Sequence, residues 1–202
     1  MKKYWLIALA AFAAIPAAQA QDSGNWLIRA RALYLDSSDK DSTGFGLSIN
    51  NKTFPEVDIS YFFSPNLAAE LVLTYPQKQT IHSTVVGADI GSFKHLPPTL
   101  SLQYHVTGLG SFRPYAGIGV NYTNLSAVSF NSNVAALKLG LKHNSVGLSV
   151  QVGVDVPIGG GWLLNADVKK VQIDTTVYSN GASVGKFKVD PVLASIGVGK
   201  RF

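Results

Sequence analysis

The sequence contains no cysteine, a single methionine and few charged residues, which make up 14% of its 202 positions. The lack of cysteine excludes disulfide bonds, thiolate metal sites and cysteine nucleophiles. The low charge, together with a hydrophobic content of 47%, argues against a disordered chain. The length fits one domain.

Long hydrophobic runs are also missing beyond the N-terminus, which excludes a membrane protein built of helices, since a spanning helix needs about 18 consecutive apolar residues. At the N-terminus, Lys2 and Lys3 precede the apolar run 4–15, and Ala18-Gln19-Ala20 supplies a small-x-small ending. This pattern predicts a cleaved signal peptide over 1–20 and one mature domain over 21–202. Removing both lysines lowers the net positive charge, so little supports a nucleic-acid partner.

Eight segments alternate apolar and polar residues, which predicts β-strands with one apolar face. In the first, Trp26, Ile28 and Tyr34 share the apolar face, whereas Arg29 and Arg31 lie on the other. The other seven lie at 56–63, 68–75, 99–106, 116–123, 146–156, 162–169 and 192–202. Short turns at 64–66, 108–113 and 158–161 alternate with longer connections at 37–50, 77–95, 125–144 and 178–186. The sequence therefore predicts an all-β fold, an eight-stranded antiparallel transmembrane β-barrel with short periplasmic turns and long extracellular loops.

Aromatic residues fall at two heights on the apolar face. Those near the short turns are Trp26, Phe63, Tyr104, Trp162 and Phe202, and those about eight residues higher are Tyr34, Tyr75 and Tyr122. Eight residues of a tilted strand climb roughly 20 Å, close to the apolar band of about 25 Å that aromatic girdles flank. We therefore expect the apolar face to contact lipid.

The opposite face points into the barrel, where an eight-stranded interior holds only side chains or one small ligand. The basic residues of this face are Arg29, Arg31, Lys169 and Arg201, and its acidic residues are Glu56, Asp58, Glu70, Asp155 and Asp167. They cluster near the short turns, and we expect them to pair as a charged floor. Nearer the long loops the inward residues are apolar: Leu33, Leu35, Val171, Ile173 and Leu193. This pattern predicts an apolar cup for a small solute, or an interior that these side chains simply fill.

Several stretches, taken in order, resemble the OmpW family of outer-membrane proteins over nearly the whole mature chain. They are 26–32 (WLIRARA), 55–65 (PEVDISYFFSP) with 66–70 (NLAAE), 94–105 (KHLPPTLSLQYH), 113–123 (RPYAGIGVNYT), 162–173 (WLLNADVKKVQI), and Asp190-Pro191 leading to 197–202 (GVGKRF).

The resemblance implies an eight-stranded outer-membrane barrel whose hydrophobic interior admits small hydrophobic molecules and releases them sideways through the wall, above the floor. The resemblance extends to a related, AlkL-like branch of the family, which is associated with alkane uptake. It also implies that Phe202 is part of the signal read by the barrel assembly machinery, although Lys200 stands where such barrels usually carry another aromatic residue. We expect a bacterial outer-membrane location with both termini in the periplasm.

Enzymatic chemistry finds little support in the sequence. The four histidines, His82, His95, His105 and His143, are scattered without metal-ligand spacing, and His82-Ser83 would face opposite sides of a strand. We therefore expect no enzyme activity, no metal and no cofactor. The expected partners are outer-membrane lipid and lipopolysaccharide, which the loop lysines Lys52, Lys94, Lys138 and Lys142 could meet, small hydrophobic solutes and the assembly machinery.

Two other functions remain open. In one, the barrel is structural or adhesive and acts through its extracellular loops around a filled interior. In the other, the chain is a periplasmic lipocalin-like carrier, which requires the polar faces of its strands to lie outside.

Overall fold

The computed structural model describes residues 24–202, so the predicted signal peptide at 1–20 lies outside the described residues. The strands are β1 Trp26–Asp36, β2 Lys40–Asp41, β3 Leu47–Ile49, β4 Lys52–Phe62, β5 Leu67–Leu73, β6 Gln77–Ser83, β7 Ala88–Leu96, β8 Thr99–His105, β9 Arg113–Phe130, β10 Leu139–Leu141, β11 Asn144–Gly159, β12 Trp162–Val171, β13 Asp174–Ser179, β14 Ala182–Lys188 and β15 Val192–Arg201. A short 3₁₀ helix spans Ser132–Leu137.

Eight of these strands close into an antiparallel barrel in the order β1, β4, β5, β8, β9, β11, β12 and β15. The pairing of β1 with β15 joins the first strand to the last, for example Ala30 to Val198. Each of the eight predicted strands overlaps one barrel strand, which confirms the predicted fold class. Three turns at one end are tight, and in the turn between β11 and β12 three consecutive glycines, Gly159, Gly160 and Gly161, adopt positive φ angles.

The long loops hold more regular structure than the alternation predicted. Strand β9 continues to Phe130, and its upper part pairs with β7. The β6–β7 hairpin therefore extends the wall above β8, and β3 pairs with β6. On the other side β10, β13, β14 and β2 form a separate four-stranded sheet. These segments were predicted as loops because their apolar–polar alternation is weak: the buried residues of β6, for example, are Gln77, Gln79, Ile81 and Ser83.

Alternation of burial along the strands confirms the two faces. In β1 every second residue from Leu27 to Leu35 is buried and those between are exposed. All eight aromatic residues of the two predicted girdles are 43–61% exposed on the outer face. Among the described residues, no helix is long and apolar enough to cross a bilayer.

Apolar side chains form a large buried cluster in the extracellular half of the interior. One buried cluster joins Leu33 and Leu35 of β1 to Phe93 of β7, Val134 of the 3₁₀ helix and Phe187 of β14. The barrel core is therefore continuous with the core between the extracellular hairpins. Burying these side chains ties the hairpins to the barrel, since each large one contributes roughly 1.5–3 kcal/mol.

Single cysteines, introduced into a chain that has none, test the two faces. We expect the Ile28→Cys thiol, on a side chain now 38% exposed, to react with a lipid-soluble maleimide and resist a charged one. The Leu33→Cys thiol, at a position 2% exposed, should resist the charged reagent while the protein is folded and react with it after unfolding. Labelling of Ile28→Cys by the charged reagent as fast in the folded as in the unfolded protein would contradict the assigned faces.

Candidate functional site

Arg29 stands at the centre of the charged floor. Its guanidinium lies 2.9 Å from Asp58 Oδ1 and 2.7 Å from Asp155 Oδ2, with Glu70 Oε1 at 3.7 Å. The arginine side chain is fully buried, and Ser60 Oγ accepts a further hydrogen bond from it at 3.1 Å. Two carboxylates from opposite sides of the barrel therefore hold one cation across its interior.

Arg31 and Lys169 form the next layer of the floor. Nη2 of Arg31 lies 2.9 Å from Glu56 Oε1, 2.8 Å from Asp58 Oδ2 and 3.2 Å from Glu70 Oε1. Nζ of Lys169 is 3.5 Å from Glu70 Oε2. Because each buried charge faces at least one opposite charge, the cluster avoids the large cost of an isolated buried ion.

Neutral polar residues complete the floor. The Tyr115 hydroxyl donates to Asp167 Oδ2 at 2.9 Å, and Asn165 Nδ2 donates to Asp155 Oδ1 at 2.8 Å. Gln151 Nε2 donates to Glu70 Oε2 at 2.9 Å. Inward alternation points to these three neutral side chains as well, although the predicted floor contains charged residues alone.

Arg201 and His105 lie at the periplasmic edge of the floor. Arg201 Nε donates to the Gly24 carbonyl at 2.8 Å, and its guanidinium lies 3.9 Å above the Phe62 ring. His105 stacks on Tyr115 with the ring centroids 4.8 Å apart. Below them a vestibule of about 600 Å³ opens toward the periplasm.

Above the floor lies a cavity of only about 20 Å³, enough for roughly one water molecule. Its lining includes all five residues predicted for the apolar cup. Leu33, Leu35, Val171 and Ile173 are 2–4% exposed, while Leu193 is partly buried. Phe54, Val72 and Pro191 extend the apolar lining, and Lys169, Glu56, Thr74, His95 and Thr99 bring polar groups to it.

At this height one side of the interior is apolar and the opposite side is polar. Strands β8, β9 and β11 present small polar residues at and just above the floor, including Ser101 and Ser149, which both pair in register with Gly119. Asn121 and Thr123 continue this polar wall and are fully buried. The predicted apolar cup therefore describes one side of the interior, formed by β1, β4, β12 and β15, and uncharged polar residues of β8, β9 and β11 face it from the other side.

The barrel wall is interrupted beside the cavity. Residues 52–56 of β4 pair with β1, but on the other edge β4 meets β5 only from Val57, which pairs with Leu73. No strand of the described chain pairs with this free edge of β4. Higher up, side chains bridge the opening: Lys52 Nζ donates to the Lys78 carbonyl at 3.2 Å, and Thr80 N donates to Asn50 Oδ1 at 2.8 Å. We call the opening between these levels the wall break.

Prolines border the wall break on both sides. Pro55 lies within the stretch of β4 that is unpaired on this edge. Pro76 follows the end of β5, and Pro97 precedes the start of β8. Proline has no backbone N–H to donate and is confined to sheet edges. At these positions proline offers no N–H with which the ladder could be extended. Thr74, Glu56, Phe54 and Pro97 line the cavity at this point, so the break lies directly beside it.

The histidines do not assemble a hydrolytic site in the described chain. Ring nitrogen Nδ1 of His82 lies 3.0 Å from Asp89 Oδ1, but the adjacent Ser83 is buried on the other face and donates to the Phe45 carbonyl at 2.6 Å. Within residues 24–202, no three side chains of histidine and acidic residues gather as metal ligands would.

The closed antiparallel barrel, with an exposed apolar band and aromatic girdles outside and buried ion pairs inside, is that of a bacterial outer-membrane β-barrel. The OmpW family model matches residues 22–202, so this chain belongs to the OmpW family.

Known proteins agree with this assignment. The chain is 39% identical over 185 residues to an uncharacterized outer-membrane protein, y4mB, of Sinorhizobium fredii, covering 88% of this chain and 80% of that protein. It is 34% identical to outer membrane protein W of Vibrio cholerae, covering 99% of this chain and all of that protein. The crystal structure of OprG from Pseudomonas aeruginosa matches with a TM-score of 0.76 at 28% identity, covering 89% and 96% of the two chains.

Removing the central cation of the floor should strongly destabilise the barrel. In Arg29→Ala, Asp58 and Asp155 lose their shared partner inside the barrel, and we expect the free energy of unfolding to fall by about 3–5 kcal/mol. Urea unfolding in lipid vesicles measures the change. Lys188→Ala, at an exposed extracellular lysine, serves as the control and should change it little. Equal stability of the two variants would contradict a central role for Arg29.

Proposed function

We propose that this barrel is a passive pathway by which small hydrophobic molecules cross the outer membrane. They enter between the extracellular hairpins, pass among the apolar side chains and leave sideways through the wall break into the bilayer. No cofactor and no catalytic residue take part, and a concentration gradient drives the flow.

The observation that carries this proposal is the apolar column that ends on a charged floor. Buried apolar side chains run from Phe187 and Val134, among the extracellular segments, down to Leu33 and Val171. Lumens that conduct hydrated solutes are polar. An apolar column instead favours solutes whose transfer out of water costs little free energy.

The floor supports an exit other than straight downward. To reach the vestibule, an apolar solute would have to separate Arg29 and Arg31 from their carboxylates, which breaks buried ion pairs. The wall break lies beside the cavity, above this barrier. Lipid beyond the break is an apolar phase, so the sideways route requires no such separation.

The small volume of the cavity means that the side chains must move for a solute to pass. A space of about 20 Å³ admits no hydrocarbon. Its lining includes leucine, valine and isoleucine residues, which can change rotamer without losing hydrogen bonds. In the proposed pathway, the packing seen in this structure is therefore the closed state.

Filling the cavity should block uptake. In Val171→Phe the larger side chain takes up the space beside Leu33, and we expect uptake of a hydrophobic fluorescent reporter by intact cells to fall toward the rate of cells that lack the barrel. Val168→Phe is the matched control, because Val168 lies on the same strand and is 47% exposed on the outer face. Similar uptake by the two variants, at equal amounts of folded barrel, would contradict the path.

Blocking the wall break should also slow uptake. We expect a bulky lipid-soluble maleimide on Thr53→Cys, on the outer face of the unpaired edge of β4, to lower reporter uptake severalfold. Val57→Cys is the control: it lies on the same strand and face, but where β4 is paired with β5. If the label on Thr53→Cys left uptake unchanged, the exit would not lie at the break.

A structural or adhesive barrel is the second candidate function, and the small cavity favours it. On that hypothesis the apolar column is only a core, and the extracellular sheets present a binding surface. Cells with and without the gene would then take up the hydrophobic reporter at equal rates, and replacing the extracellular segments would abolish attachment without changing uptake.

Two further partners, lipopolysaccharide and the assembly machinery, are proposed on separate observations. Lys94, Lys138 and Lys142 are exposed at the extracellular end, where lipopolysaccharide phosphates could meet them, whereas Lys52 already bridges the wall to Lys78. We also propose that Phe202 is read by the assembly machinery. Its ring is 58% exposed on the outer face, and Lys200 beside it lies 5.2 Å from the Trp162 ring.

A further inference from the structure

Lys169 is the one floor cation that lines the cavity. It projects inward from β12 between Gln151 of β11 and Leu193 of β15, and it is 2% exposed. Leu33 and Val171 line the same cavity. The buried ammonium group therefore lies at the base of an apolar space.

The ammonium group of Lys169 is held by charge and not by hydrogen bonds within the described chain. Nζ carries three donors and makes no hydrogen bond within the described chain, and its nearest ion partner, Glu70 Oε2, is 3.5 Å away. Glu70 already accepts from Gln151 at 2.9 Å and from Arg31 at 3.2 Å. Lys169 is thus held near the floor by charge while its donors remain available.

A second unfilled polar group faces the cavity from the side of the wall break. Thr74 Oγ1 is buried and has no hydrogen-bond partner within the described chain. Thr74 follows the last residue of β5, where the β4 ladder opens. A molecule moving from the cavity toward the break would pass both groups in turn.

We propose that Lys169 binds the oxygen of a solute that has an apolar body and one polar end, such as a long-chain alcohol, aldehyde or ester. This assignment rests on the proposed function and specifies its substrate class. The apolar part packs against Leu33 and Val171, and the oxygen accepts a hydrogen bond from Nζ. A bare hydrocarbon leaves Nζ and Thr74 Oγ1 unmatched in a site from which it has excluded water, which is unfavourable.

Octane and 1-octanol are a matched pair of probes for this preference. Uptake of each by intact cells is measured and corrected for cells that lack the barrel, and the ratio of octanol uptake to octane uptake is the readout. We expect Lys169→Met to lower this ratio about three- to tenfold, the equilibrium equivalent of one hydrogen bond. Lys188→Met removes an exposed extracellular lysine instead and should leave the ratio as in the wild type.

Thr74→Val is the second variant, because it keeps the shape of the side chain, stays outside the ion cluster and removes only the hydroxyl. It should lower the ratio by a smaller factor than Lys169→Met, and it carries the test if the latter fails to assemble, as judged by heat-modifiable gel mobility. An unchanged ratio in the folded variants, with both solutes still taken up through the barrel, would overturn the role of Lys169 and leave the pathway standing. Uptake of neither solute above barrel-free cells would overturn the pathway itself.

Discussion

The structure depends on one constraint, that backbone N–H and C=O groups within the bilayer must be hydrogen-bonded to one another. Eight strands meet this constraint by closing on themselves, from β1 round to β15. Closure also decides where the wall can open. The break between β4 and β5 lies at the extracellular ends of the paired segments, near Tyr75 of the upper girdle, where proline reduces the number of donors left unpaired.

The charged floor follows from the same closure. A ring of eight strands leaves an interior too narrow for bulk water, so charged side chains pointing inward have to neutralise one another. Arg29 reaches Asp58 on one side and Asp155 on the other, residues 97 positions apart in the chain. These contacts hold opposite walls together across the lower lumen.

Much of this arrangement was predictable from the sequence, because the period of a strand assigns every residue to a face. The strand order, the outward aromatic residues and the gathering of inward charges near the short turns all follow from alternation. Which charge pairs with which does not, since strand tilt shifts the register around the barrel. The hairpin of β6 and β7 was missed because the buried residues of β6 are mostly polar, so its two faces do not alternate, and its order depends on the pairing of β7 with β9. The polar wall at Asn121 is neither charged nor apolar, so it belongs to neither the predicted floor nor the predicted cup.

The position of the wall break relative to the floor limits what the interior can do. Opening the floor separates several buried ion pairs together, because Arg31 faces Glu56, Asp58 and Glu70 at once. At the break the side chains to be separated are Phe54, Pro97, Thr74 and Glu56, of which Glu56 is paired with Arg31, and the bridges Lys52–Lys78 and Asn50–Thr80 open only if the gap widens upward. The solute or the lipid then packs against those side chains and restores their dispersion attraction, whereas an apolar solute offers the ion pairs of the floor no replacement. In the proposed pathway, a molecule without charge therefore meets fewer ion pairs sideways than downward, and the wall break is its exit above the floor.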